Sequence, residues 1–150
     1  MSRYYFAYGS NLDSSQMERR CPGHQYRCKA FLPKHRLAFT HPSTTWGGGS
    51  ADIIDDEQSP GVWGCIYELT ADDWVRLSTA EGPGYRRTTI TVLEAGVEDC
   101  PFECDAFKVI DPTGPHLPAK LYLDTIIRGA LARSLPAGWI TWLKGLSHKG

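Results

Sequence analysis

Two short stretches of this chain carry residue types suited to chemistry. The first is Gly9-Ser10-Asn11, which interrupts the aromatic run RYYFAY. Glycine opens backbone conformations closed to other residues. Successive N–H groups at such a turn, feeding the start of a helix, form a concavity that binds a carboxylate or a developing oxyanion. The second is Glu81, the last residue before Gly82 in STAEGPGYRR. An acid at a helix C-terminus is opposed by the partial negative charge there. The spacing of Trp74 and Leu77 carries the apolar side of that helix on to about residue 81. A carboxyl on that side is desolvated and titrates high, which suits a general acid/base near neutral pH. Each stretch also has an ordinary reading. Asn11 can simply cap a helix while Gly9 relieves crowding, and Glu81 can be a solvated helix-end acid.

The elements that must position these residues follow from periodicity and punctuation. Residues 3–8 read as a first strand, and Asn11 or Asp13 caps a short helix through Arg20. Residues 25–31 and 35–40 read as strands, Trp46–Gly49 as a flexible loop, and 51–54 as a short strand. VWGCIYELT (62–70) alternates like a half-buried strand, with Gly64 marking a bulge or a close backbone approach. Thr70 caps the next helix, with Asp72 and Asp73 in its first turn. Its apolar side is assigned to Trp74 and Val75 with Leu77 and Ser78, and Gly82 ends it. The β-branched run 85–95 pairs with a strand over 102–110. Residues 112–118 form a loop, and two helices close the chain at about 119–133 and 137–146. Strands largely precede the last helices, without a βαβα rhythm. The expected class is α+β, a mixed or antiparallel sheet closing into a small barrel with flanking helices.

Bulk properties narrow the function. At 150 residues the chain has the size of one domain, and a domain of that length buries roughly 68–70% of its unfolded surface. Net charge is −1, without a Lys/Arg block, so neither nucleic acid nor an anionic membrane is a favoured partner. No apolar run reaches the ~18 residues of a membrane span. The N-terminus lacks the basic-then-apolar pattern of a signal peptide, so the expected location is cytoplasmic. Five cysteines without an export signal argue against a disulfide scaffold. Cys21, His24 and Cys28 with Cys100 and Cys104 do not have the spacing of a common zinc module, and thiols packed as small hydrophobes are the preferred reading. Ser10 is not in a nucleophile elbow, the glycines at 47–49 lack the Lys-Ser/Thr of a P-loop, and Asp55-Asp56 reads as a solvated turn.

Taken together, the two stretches give the chain a resemblance to the γ-glutamylcyclotransferase family, a cyclotransferase-like fold that includes AIG2-like proteins. FAYGSNL resembles the family's signature turn, and ERRCPG the helix end that follows it. RLAF, WGGGSADII, VWGCIYELT and EGPGYRR fall in the family's order, and LPAKLYLDTIIRGALARSLP is similar to its closing helix. The resemblance implies that Glu81 is the catalytic acid/base. It implies that Tyr8, Gly9, Ser10, Asn11 and Leu12 form the substrate-binding loop, with Tyr85 and Tyr122 near the pocket. The implied reaction releases 5-oxoproline from a small γ-glutamyl amine or dipeptide, with no cofactor and no metal, in a monomer or homodimer. Pro118-Ala119 departs from a common Pro-Ser of the family. The turn Y-G-S-N is less like the glutathione-specific branch than Y-G-S-L. A non-catalytic small-molecule-binding or interaction module on the same fold is the alternative, as is another amide-handling reaction in the same pocket. The leaving-amine pocket is expected from residues 41–50 and 111–118.

Overall fold

Among the described residues, seven strands and four α-helices arise where aromatic and β-branched runs alternate with capped amphipathic segments. The computed structural model describes residues 2–150. Strand β1 (Tyr4–Ala7) leads through a 3₁₀ turn (Ser10–Leu12) into helix α1 (Ser14–Arg20). Strands β2 (Gln25–Pro33), β3 (His35–Ser43), β4 (Gly48–Asp55) and β5 (Gly61–Glu68) follow. Helix α2 (Ala71–Glu81) precedes β6 (Tyr85–Glu94) and β7 (Pro101–Val109), and helices α3 (Lys120–Ala132) and α4 (Ala137–Lys144) end the fold.

Five strands close into a barrel in the order β1-β5-β2-β6-β7. Directions cannot alternate around a ring with an odd number of members, so one neighbouring pair must run parallel. That pair is β1–β7, joined at Tyr5 and Asp105, and the other four pairs are antiparallel. The α+β barrel with flanking helices expected from the sequence is therefore the architecture found. Buried Asp105 fastens the closure. It accepts from Arg87 Nε at 2.7 Å, Thr89 Oγ1 at 2.9 Å and the Ser2 amide at 3.1 Å. A buried carboxylate is tolerable only when so paired.

Gly64 marks a close approach rather than a bulge. A Cβ there would lie 2.2 Å from the Ala7 carbonyl oxygen and 2.8 Å from the Phe6 ring. The irregularity of this ladder lies in β2, between Tyr26 and Cys28. Gly48 and Gly49, expected in a flexible loop, instead begin β4. The backbone of residues 116–119 packs against them, and a Cβ on Gly49 would meet the His116 carbonyl oxygen at 2.3 Å. Local composition does not reveal a neighbour so remote in sequence.

The β3–β4 hairpin forms a separate two-stranded sheet docked through polar groups. Buried Asp52 accepts from Thr40 Oγ1 at 2.8 Å and from the Val109 amide of β7 at 3.1 Å. The core proper gathers Phe6, Leu12, Met17, Val62, Ile66, Tyr67, Leu77, Val92 and Ile126. Cys21, Cys65 and Cys104 are buried among them, and burial pushes each thiol up to about 12. In α2 the buried face is Asp73, Trp74 and Leu77, whereas Val75 is 68% exposed. The expected apolar side was thus too wide. Val75 and Ser78 lie outside the 3–4 residue stripe that a single contact face allows. Among the described residues no helix is long and apolar enough to cross a membrane.

Gly64→Ala is expected to destabilise the protein by about 3 kcal/mol, because backbone rather than a mobile side chain occupies the space. A urea unfolding curve measures it, and a loss below about 1 kcal/mol would mean that β1 and β5 separate easily.

Candidate active site

The turn after β1 is built to present backbone. Gly9 brings the chain against the hairpin, and a Cβ there would lie 3.3 Å from Ala51 Cβ and 3.5 Å from the Tyr122 hydroxyl. The 3₁₀ turn closes through Leu12 N–H to the Gly9 carbonyl and Asp13 N–H to the Ser10 carbonyl. The N–H groups of Gly9, Ser10 and Asn11 have no acceptor among the described residues. Helix α1 is capped by Asp13, which accepts from the Gln16 amide at 3.2 Å. The capping role considered for Asn11 therefore belongs to Asp13.

Glu81 reaches the same place from the other side. Thr70 and Asp73 form a reciprocal capping box at the start of α2, and Gly82, at φ 80°, terminates it. Seven residues, two helical turns, separate Trp74 from Glu81, so the acid continues the buried face. Its Oε1 accepts from Asn11 Nδ2 at 3.2 Å. Burial raises the Glu81 carboxyl above the usual carboxylate range, while the Arg20 charge and the Asn11 hydrogen bond pull in the opposite direction. Desolvation is the largest effect, as for other acids held out of water.

Around the carboxyl lies a small recess with about 30 Å³ of free volume, lined by Gly9, Ser10 and Asn11, Ala51, Phe107 and four tyrosines. Tyr85 donates to the Ala51 carbonyl at 2.7 Å and lies 2.8 Å from Ser50 Oγ. Tyr122 accepts from the Ala51 amide at 2.8 Å, and Tyr8 donates to the Phe107 carbonyl. Burial is the largest influence on the Tyr5, Tyr8, Tyr85 and Tyr122 phenols and raises all four. They act as neutral hydrogen-bonding walls. The recess opens into a cleft of about 340 Å³ that shares Ser10, Glu81, Tyr85 and Tyr122 with it. Residues 41–46, Ser50, Arg20 and the 82–84 turn form the cleft's other walls.

Of the residues singled out from sequence, the structure brings Tyr8, Gly9, Ser10, Asn11, Glu81, Tyr85 and Tyr122 to one recess. Leu12 does not reach it. It is fully buried beneath α3, where a Cβ on Gly129 would lie 2.5 Å from its own Cβ. Residues 111–118 line neither the recess nor the cleft. They lie along the hairpin instead, with Thr113 N–H on the Thr40 carbonyl and His116 N–H on the Phe39 carbonyl, both at 2.9 Å. Tyr5, Gln16 and Arg20 were missed. Gln16 and Arg20 stand one turn apart on α1, a spacing that puts two donors on one helix face.

Residues 61–143 match the model of the AIG2-like family. Human γ-glutamylcyclotransferase is 31% identical over 149 residues, covering 95% of this chain and 77% of the human protein. The chain belongs to the γ-glutamylcyclotransferase family. The bovine γ-glutamylcyclotransferase is 30% identical over 139 residues, covering 88% of this chain and 72% of its own. A solved γ-glutamyl cyclotransferase structure superposes with a TM-score of 0.90 at 25% identity, over 97% of this chain and 88% of that one. The family resemblance of the two short motifs is thus matched across nearly the whole fold.

The cap of α1 carries a pH-dependent contribution to stability. Arg128 bonds the Asp13 carboxylate at 2.9 and 3.2 Å and, with Ser15 and the Gln16 amide, lowers it from the usual 3.8 to about 2. A carboxyl lowered in the folded state stabilises above its unfolded pKa and loses that contribution as pH falls through the folded one. Asp13→Asn is therefore expected to flatten the fall in stability between pH 3.8 and about 2. Urea midpoints across that window test it, and an unchanged slope would show the ion pair to be energetically idle.

Proposed function

We propose that this chain is a γ-glutamylcyclotransferase that releases 5-oxoproline from a small γ-glutamyl amine or dipeptide, with Glu81 as the proton carrier. One observation supports this above the others. The Glu81 carboxyl, half-buried and raised by partial desolvation, shares a recess with the acceptor-free amides of Gly9, Ser10 and Asn11. A proton carrier and a set of oxyanion donors are what an intramolecular acyl transfer requires.

The chemistry runs in two steps. The α-amine of the γ-glutamyl group attacks its own γ-carbonyl, forming the C–N bond of a five-membered ring. Ionised Glu81 takes the proton that the amine loses. The carbonyl oxygen becomes an oxyanion stabilised by the loop amides. Each such donor is typically worth about 10²–10³ in rate. The carbonyl then re-forms, the bond to the leaving nitrogen breaks, and Glu81 returns the proton to that nitrogen. One carboxyl serves both steps and ends in the state in which it began. Because nucleophile and electrophile belong to one molecule, holding the glutamyl chain folded supplies much of the acceleration; effective molarities reach about 10⁵ M or more in well-oriented cases.

The tyrosines suit that task. Ala51 is gripped on both polar atoms by Tyr85 and Tyr122, so the hairpin wall of the recess is fixed to β6 and α3. The recess takes only the reacting carbonyl end of the glutamyl group, and the wider cleft beside Arg20 and residues 41–46 takes the rest of the substrate with its leaving amine.

Glu81→Gln is expected to lower 5-oxoproline release by about 10²–10⁴ with the melting temperature retained. The assay is product release from a panel of γ-glutamyl amines and dipeptides. Full turnover in the variant would remove Glu81 from the role, and a folded wild-type protein inactive on every member of the panel would remove the reading. Glu81 must be ionised to accept the first proton, and its carboxyl is raised by burial. The acid limb of the rate profile is therefore expected above the ordinary glutamate range, rate falling as pH falls through it.

A further inference from the structure

The carboxamide of Asn11 has no hydrogen-bonding capacity left for a substrate. An asparagine offers two N–H donors and two oxygen lone pairs. Nδ2 donates to the Tyr5 hydroxyl at 2.9 Å and to Glu81 Oε1 at 3.2 Å. Oδ1 accepts from Gln16 Nε2 at 2.9 Å and from Arg20 Nη1 at 3.0 Å. Asn11 is 3% exposed and Gln16 4% exposed, so water does not compete for these bonds. Gln16 Nε2 also donates to Ser10 Oγ at 2.6 Å, leaving the Ser10 hydroxyl proton free for the recess that Ser10 lines.

We propose that Gln16 is a positioning residue of this site: with Arg20 it clamps the Asn11 oxygen, so that the opposite edge of the carboxamide is held as an N–H donor toward Glu81. The two edges of a carboxamide are nearly the same shape, and sterics alone do not choose between them. The choice is electrostatic. A guanidinium has no acceptor, and a glutamine turned the other way would set its oxygen against the Asn11 oxygen that Arg20 holds. Arg20 therefore demands an oxygen, Gln16 turns its own nitrogen to the same atom and reinforces the choice, and the Asn11 nitrogen falls to Glu81. A bond donated to a carboxylate favours its ionised form, the form that accepts a proton. The clamp thus counters desolvation and sets where on the pH scale Glu81 becomes competent.

Other charged or titratable groups face the carboxyl. Arg20 and Cys21 approach from α1 and its end, Tyr5 and Tyr8 from β1, Tyr85 from β6 and Tyr122 from α3, while His41 of β3 stands across the cleft. The phenols stay neutral through the working range because burial raises them. Arg20 contributes its charge as well as its clamp.

The experiment varies Gln16 and reads the ionisation of Glu81. This inference rests on the proposed role of Glu81, so ionisation is measured in two ways: the acid limb of 5-oxoproline release, and the ¹³C-carboxyl titration of Glu81 by NMR without substrate, assigned with Glu81→Gln. Gln16→Glu places an acceptor where a donor stood. Asn11 turns to satisfy it, and its oxygen then confronts Glu81. Both readouts are expected to move upward by about one pH unit. The new carboxylate can also draw the Ser10 hydroxyl proton away from the recess, so KM is compared in Gln16→Met, where a change of less than about threefold is expected. Gln16→Met, which removes a donor while Arg20 keeps the orientation, is expected to move them by less. The charge that Gln16→Glu introduces is separated from the turning of the carboxamide by repeating the substitution in an Asn11→Leu background, where no carboxamide can turn. A shift there of less than half the original supports the clamp. An equal shift in both backgrounds, an unmoved titration, or a raised KM with an unmoved titration would each overturn it. Melting temperatures identify a variant that has lost its fold, and for such a variant Gln16→Met in the wild-type background decides by the same titration. A wild-type protein that releases no 5-oxoproline would defeat the proposed function, while the NMR titration would still decide the clamp.

Discussion

Glu81 occupies a position where two forces oppose its charge. Burial strips water from the carboxylate, and the C-terminal end of α2 adds its own partial negative charge. An acid survives there only if neighbouring groups return part of what solvent would have supplied. Asn11 donates directly, and the Arg20 charge acts through space. The balance leaves the carboxyl raised, with burial outweighing the two opposing effects. Much of the surrounding structure serves this balance. The α1 face that carries Gln16 and Arg20, the Asp13 cap that starts that helix, and the Tyr67 hydroxyl that donates to the Asn11 carbonyl at 2.7 Å all hold one asparagine in place.

Barrel closure makes the meeting possible. Asn11 and Glu81 are 70 positions apart, and each lies just beyond a barrel strand or at the end of the helix that follows one. Strands β1 and β5 are hydrogen-bonded neighbours. The segments that follow them, the 3₁₀ turn with α1 and helix α2, leave from different ends of this antiparallel pair. Helix α2 then runs back along the barrel, so that its last residue returns to the end where β1 stops. Its length of 11 residues matters to function for that reason. Closure of the ring brings β7 beside β1, and with it Phe107, whose carbonyl takes the Tyr8 hydroxyl. The hairpin completes the recess through Ala51, held at both backbone polar groups by tyrosines from β6 and α3.

The capped helices, the β-branched strands and the Gly82 stop were legible because each depends on chemistry within a few residues. Thr70 and Asp73 satisfy one another locally, and Gly82 is needed for a positive φ whatever packs nearby. The site was legible in its two poles, the Gly9–Asn11 turn and Glu81, because each broke a local rule: a strand ending in small polar residues, and an acid at the wrong end of a helix. Gln16 and Arg20 broke none. They are ordinary residues for an exposed helix face, and only the loop folded over them reveals their task. Leu12 belonged to the quoted motif but serves the core, since a motif read along the chain does not separate residues facing the cavity from those facing the next layer.

The amino-acid sequence by itself determined the elements, the small-barrel class and the two candidate poles, since caps, periodicity and turn residues act over a few bonds. The tertiary structure decided that the poles share one recess, that Asn11 turns its nitrogen to Glu81, that Gly48 and Gly49 lie in a strand, and that residues 111–118 support the hairpin rather than line the cleft. Those outcomes depend on which surfaces meet. Hydrogen-bond orientation and desolvation are properties of a three-dimensional neighbourhood, assembled here from segments that the chain keeps far apart.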